Sequence, residues 1–179
     1  MTARLVTAPA APAVSLVAAR RAARTNGTAL DAELLEKIQG ITDEVEHETC
    51  RALIEQTWAV TLDRFDGAIR LPHSPLVTVE HVKFYDTDGV LQTLHPEDYQ
   101  VDDVSEPGFI VPAPGRTWPA TAARINAVEV QYVCGYGPDD TSVPPGIKEY
   151  ILGMIENHYF PNPNAQYLRR RLDRHMVYL

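Results

Sequence analysis

Apolar spacing along this chain runs from helical to alternating and back to helical. Residues 1–13 come first, rich in Ala and Pro, with Pro9 and Pro12 predicting an extended arm. Ser15 is placed to cap a short helix from Leu16 to Arg24, whose Ala18, Ala19, Ala22 and Ala23 give it a small-residue surface. Asn26-Gly27 ends it. Thr28 or Asp31 then starts a long helix with an apolar stripe of Leu30, Leu34, Ile38, Ile41, Val45, Ala52 and Leu53. Gly40 interrupts that stripe and marks a candidate bend. Glu33, Glu36, Asp43, Glu44, Glu46 and Glu48 fall mostly off the stripe, as a solvated helix face would.

From Thr57 the period shortens to that of strands. Alternating or β-branched runs at 57–62, 68–71, 77–85, 90–94, 99–101, 109–111 and 128–133 predict seven strands. Asp86-Thr87-Asp88-Gly89 reads as a tight hairpin turn, with glycine where a positive φ is needed. Pro112, Pro114, Gly115 and Pro119 make an irregular loop around Trp118. Short strands separated by turn signals imply a small antiparallel sandwich or barrel, and so an α+β chain. Cys134-Gly135-Tyr136-Gly137-Pro138 is a hinge back to helix. There Pro145 suits the first turn, and Ile147, Ile151, Met154, Ile155 and Tyr159 repeat helically. Pro161 and Pro163 stop that helix. Tyr167 to Arg174 can form a short basic helix. Met176 to Leu179 is an apolar tip that either docks on a partner or folds back on its own core.

Composition narrows the function. The 179 residues are 45% hydrophobic, enough for an ordinary core, and the net charge of −8 argues against coating DNA. Charge is uneven. The first 30 residues hold Arg4, Arg20, Arg21 and Arg24 with no acid, residues 31–56 hold eight acids against Lys37 and Arg51, and residues 164–179 hold Arg169, Arg170, Arg171 and Arg174 against Asp173. Such ends serve solubility or touch acidic neighbours, including other copies of the chain. Cys50 and Cys134 make neither a metal pattern nor a disulfide framework. No apolar run reaches membrane-span length, and no signal peptide is expected.

Candidate chemistry is sparse. His47-Glu48-Thr49-Cys50 starts like a zinc-protease helix, but Arg51 stands where the second histidine belongs. Asp86 to Gly89 lacks the downstream glutamate of a calcium loop. Gly135-Tyr136-Gly137 lacks the rest of a phosphate cradle. His73, His81, His95, His158 and His175 are scattered, and no serine lies in a Gly-x-Ser-x-Gly elbow. The expectation is no enzyme, no metal and no cofactor.

An ordered set of short segments remains. After the two N-terminal helices come Ala52-Leu53-Ile54-Glu55-Gln56-Thr57-Trp58, Ile69-Arg70-Leu71-Pro72, Pro75-Leu76-Val77-Thr78-Val79, Tyr85-Asp86-Thr87-Asp88-Gly89 and Tyr99-Gln100-Val101-Asp102. Pro112-Ala113-Pro114-Gly115-Arg116-Thr117-Trp118-Pro119 and Val133-Cys134-Gly135-Tyr136-Gly137 with Val143-Pro144 complete it. Over roughly residues 5–160 this order resembles the head–tail connector (adaptor) proteins of long-tailed phages, prophages and gene transfer agents. The resemblance implies a helical core, built from two N-terminal helices and a C-terminal one, with an inserted β domain. The boundaries are then 1–56, 57–134 and 135–179. It also implies a ring of about a dozen copies in the neck of a virion or virion-like particle, made in the bacterial cytoplasm. The ring docks under a portal protein, meets a head-closure (stopper) or tail protein, and continues the DNA channel without specific DNA binding or membrane contact.

On that footing Glu36, Asp43, Glu44 and Glu48 form a channel-facing acidic helix that repels DNA phosphates. Arg20, Arg21 and Arg24 are the expected subunit interface. Arg169, Arg170, Arg171, Arg174, Tyr178 and Leu179 are the expected dock for the portal or a neighbouring ring. Arg20 to Gly27 and the tail depart from the family pattern, which bears on those contacts. Competing readings are another neck component (head-closure or tail-terminator protein), disfavoured by the long helix, and a small β ligand-binding module presenting Trp58, Trp118 and Tyr136.

Overall fold

The computed structural model describes residues 2–163 and 165–177. The chain folds as two compact units, one of residues up to Ala8 with Gln56–Gly135, the other of Pro9–Glu55 with Tyr136 onwards.

The first unit is all β. Its strands are β1 (Thr2–Thr7), β2 (Gln56–Leu62), β3 (Ile69–Arg70), β4 (Leu76–Tyr85), β5 (Leu91–Thr93), β6 (Tyr99–Asp102), β7 (Phe109–Pro112) and β8 (Val128–Cys134). They form a five-stranded sheet, β1-β2-β8-β4-β5, and a three-stranded sheet, β3-β7-β6, with every pairing antiparallel. Neither closes into a barrel, so of the two expected architectures the open pair of sheets is the one found. The last strand is central, with β8 between β2 and β4. Its alternation explains why: Val128, Val130, Tyr132 and Cys134 are buried, and the residues between them are only half-buried. The Tyr132 hydroxyl donates to the Pro72 carbonyl at 2.6 Å, which satisfies the hydroxyl of that buried row. In the second sheet Ile69, Tyr99 and Ile110 turn inward. Gly108 is required where the chain enters β7, because a Cβ there would lie 2.8 Å from the Leu76 Cβ and 3.0 Å from the Asp102 carbonyl.

Each of the seven expected strands is present within a residue or two. The arm is extended over residues 2–7 as expected, and it also pairs with β2, from Thr2 opposite Thr61 to Thr7 opposite Thr57. Thr, Leu and Val at alternating and adjacent positions favour a strand, and Pro9 marks only where it ends. The hairpin turn forms as expected, with Asp86 Oδ1 accepting from the Asp88 and Val90 amides and Gly89 at φ 78°. The long loop before β8 is pinned throughout. Trp118 stacks on Phe65 at 4.7 Å and donates to the Gly67 carbonyl, Arg124 lies 4.0 Å over Tyr85, and the Asn126 amide donates to Asp63.

The second unit packs α1 (Leu16–Ala22), α2 (Asp31–Thr49) and α3 (Pro145–Tyr159) around Leu34, Ile38, Val45, Leu53, Ile147, Ile151 and Ile155. Ser15 caps α1 by accepting from the Ala18 amide. Ala19, fully buried, lets α1 sit close to its neighbours. The helix α2 runs unbroken through Gly40 and stops at Thr49, earlier than its stripe suggests, because Cys50 takes a left-handed conformation at φ 55°. Ala52 and Leu53 are therefore core residues of the following turn, where Glu46 accepts from the Leu53 amide at 2.7 Å. The buried positions of α3 include Tyr150, which the apolar pattern alone passes over.

The described part of the tail packs on the helical unit. Residues 165–171 and 173–175 form two 3-10 helices, and Leu168, Leu172 and Val177 are buried. Leu168 packs on the bare backbone of Gly153 in α3, the Val177 amide donates to the Thr49 carbonyl at 3.0 Å, and Arg51 Nε donates to the His175 carbonyl at 2.6 Å. Pro161 and Pro163 follow the end of α3 at Tyr159, as expected. The chain turns, and the described tail to Val177 lies back on the helical unit.

Candidate functional site

The residues expected to meet other molecules fall on the surface of the helical unit, and many are already engaged. Arg20 grips Asp31 with two bonds, Nε to Oδ1 at 2.7 Å and Nη2 to Oδ2 at 2.5 Å. That bond is the main reason the Asp31 carboxyl sits below the usual aspartate range and the Arg20 guanidinium above its own. Arg24 pairs with Glu156 at 2.8 Å and lies 4.4 Å over the Phe160 ring. Of the three expected interface arginines only Arg21 is exposed with no ion pair among the described residues.

The acids of α2 divide in the same way. Four of seven have partners beyond α2 itself: Asp31 with Arg20, Glu33 with the Tyr159 hydroxyl at 2.7 Å, Glu46 with the Leu53 amide, and Glu48 with Arg169 at 2.5 Å. The Glu33 bond pushes the Tyr159 phenol up to about 12. Sequence spacing reads Glu33, Glu46 and Glu48 as part of a solvated flank. The structure makes several of them ties between α2 and its neighbours. Glu36, Asp43 and Glu44 remain exposed, and of these Asp43 receives the Gln39 side-chain amide. Glu48, grouped with them in the sequence, is half-buried under Arg169.

In the tail Arg169 is held by Glu48 and Arg171 by Glu149, while Arg170 and Arg174 are exposed with no ion pair among the described residues. Tyr178 and Leu179 lie outside the described residues. A cleft of about 460 Å³ lined by Glu44, Tyr150, Met154, Leu168 and Arg169 lies where the tail meets α2 and α3. Burial and the Glu44 and Glu48 charges push the Tyr150 phenol up.

The β unit holds two polar clusters that sequence spacing does not reveal. Glu129 bridges Arg4 at 2.9 Å and His81 at 3.4 Å. Partial burial pushes the Glu129 carboxyl up, but the bonds from Arg4 and His81 outweigh it and leave the pKa lowered. His73, at φ 66°, stacks on Trp58 with centroids 3.9 Å apart, and burial lowers its imidazole pKa. Only the antiparallel register of β1, β2 and β8 brings Arg4 to Glu129, so no local motif could have announced it.

None of Trp58, Trp118 and Tyr136 is an open platform. All three are half-buried, against His73, against Phe65, and with Arg51 5.8 Å over the Tyr136 ring. Among the described residues no three His, Cys, Asp or Glu side chains are grouped to hold a metal ion, and no helix is long and apolar enough to cross a membrane.

The arrangement is therefore one of charged and apolar surfaces around two packed units. Its fold is similar to solved chains of gene transfer agent particles over essentially its whole length. A chain in the neck of an empty particle, computed with C6 symmetry, matches with a TM-score of 0.83 at 20% identity, covering 100% of this chain and 97% of the other. A chain in the virion of a native particle matches at 0.80 and 20%, and one in the neck of a native particle, computed with C12 symmetry, at 0.73 and 21%, each with the same coverage. At such identities the likeness is one of fold. No family model matches the sequence, and no curated protein matches it.

Proposed function

We propose that this chain is a structural head–tail connector (adaptor) subunit, forming a ring beneath the portal of a phage or gene transfer agent-like particle and extending the DNA channel toward the tail. The observation that carries the reading is the full-length likeness to neck chains, at TM-scores of 0.73 and 0.83. A fold shared end to end, with no unmatched domain left over, favours a shared place in the assembly over a borrowed module. The C6 and C12 symmetries of those necks support assembly of this chain as a closed ring. The role is non-enzymatic on this reading. Its partners are further copies, the portal and a head-closure or tail protein, and its place is the particle neck. The net charge of −8 suits a wall past which DNA slides without sticking.

Deleting the gene in a particle-producing host tests this. DNA-filled heads and free tails should accumulate unjoined, and adding back the full chain should join them. Tails of uncontrolled length beside closed heads indicate a terminator instead. Normal tailed particles in the deletion strain overturn the proposal.

A further inference from the structure

The solvent face of α2 carries a residue with no use inside the chain. Gly40 lies near the middle of the helix and is exposed; its φ is not positive, and a Cβ added there meets nothing within 4 Å. Glycine weakens a helix interior relative to alanine, and its compensating use is the close approach of another backbone. Glu36, Gly40, Asp43 and His47 share one stripe of the helix, with Glu44 beside it, and all are exposed. The stripe is thus an exposed face with three acids near Gly40, where no side chain projects. Lys37, half-buried, is the one lysine or arginine on α2.

The matching surface is on the same molecule. Tyr167, 52% exposed, and Arg170 stand three residues apart on a 3-10 helix, which places them on one edge, with the exposed Arg174 following. An exposed aromatic followed by two arginines has the composition of an interface anchor. The chain also holds an overall excess of acid, so copies brought together meet repulsion unless acid is set against base.

We propose that the Glu36–Gly40–Asp43–Glu44 face of α2 is covered by the Tyr167–Arg170–Arg174 edge of the next copy. Two different patches meet, as a head-to-tail ring requires. This rests on the ring reading above and deepens it: the acidic face lies between subunits and does not line the channel.

The full chain tests it through two charge reversals, E36R/D43R/E44R and R170E/R174E, read by sedimentation equilibrium at low salt with circular dichroism for folding. Each reversal should weaken self-association at least about tenfold. Mixing the two variants, or combining both reversals in one chain, should restore it. Gly40→Leu should weaken it without a charge change, and Arg21→Glu should not. Inside purified particles, Asp43→Cys with Arg170→Cys in a Cys50→Ser background should give a disulfide-linked ladder of copies. Reversals that leave association and the ladder intact overturn this interface while sparing the ring. Incorporation into particles without a ladder means another protein covers the face. Absence of the wild-type chain from necks fails the ring reading itself.

Discussion

Leu168 sits against Gly153 so closely that a Cβ on the glycine would lie 2.7 Å from Leu168 Cδ2. The contact ties the 3-10 tail to the middle of α3, and so makes Leu168 part of the helical core.

Replacing Leu168 by Ala should therefore destabilise the helical unit by about 2–3 kcal/mol, the usual cost of removing a buried leucine that can partly collapse. Gly153→Ala pits a helix-propensity gain of about 1 kcal/mol against overpacking of similar size. Its melting temperature should move little. Limited proteolysis should instead show faster cleavage after residue 160 in both variants, and unchanged cleavage means the tail is not held there.

Asp31→Asn should flatten the acid limb of stability. The folded carboxyl lies below its ordinary 3.8, so the unfolded chain binds the proton first as pH falls. The contribution of Arg20–Asp31 is whole above the ordinary value and is lost as pH drops through the lowered one. Urea midpoints measured between pH 6 and pH 2 should converge for wild type and Asp31→Asn at the acid end, within the precision of such curves.

His73 has the opposite charge type and its own window. Burial lowers its pKa from 6.5, so the unfolded chain takes the proton at higher pH than the folded one. The β unit should be unaffected above that value, lose stability as pH falls from 6.5 to the lowered folded value, and level off below it. His73→Phe preserves a ring for Trp58 and should remove this step. Trp58 emission followed against pH gives a direct record, and a step that persists in the variant points to another group.

Deleting residues 2–7 should lower the melting temperature of the β unit and promote aggregation, since it uncovers the β2 edge along Thr57 to Thr61. An unassociated chain with wild-type stability would show that β1 is dispensable.

Much of this architecture is readable from periodicity. β8 alternates from Val128 to Cys134 and lands in the sheet centre, and α3 keeps its apolar face between Pro145 and Tyr159. What periodicity misses has a common cause. β1 needs a partner more than 50 residues away, Glu33 is tied by Tyr159 and Glu48 by Arg169 across the helical unit, and Cys50 stops α2 by a backbone conformation that its side chain does not advertise. Local pattern shows which face of a helix is wet, but not which wet residue has found a distant partner. Of the expected contact residues, Arg20, Arg24 and Glu48 are therefore engaged within the chain, while Arg21, Arg170 and Glu36 keep open surfaces.

The central place of the last strand bears on synthesis. Until Val128–Cys134 leave the ribosome, β2 has only β1 and β4 has only β5, since both owe their main ladders to β8. The nascent chain must therefore carry two incomplete ribbons from the synthesis of Thr93 until that of Cys134. A force-sensing arrest peptide fused at successive lengths should register little pull from the β unit before residue 134 emerges and a sharp one after.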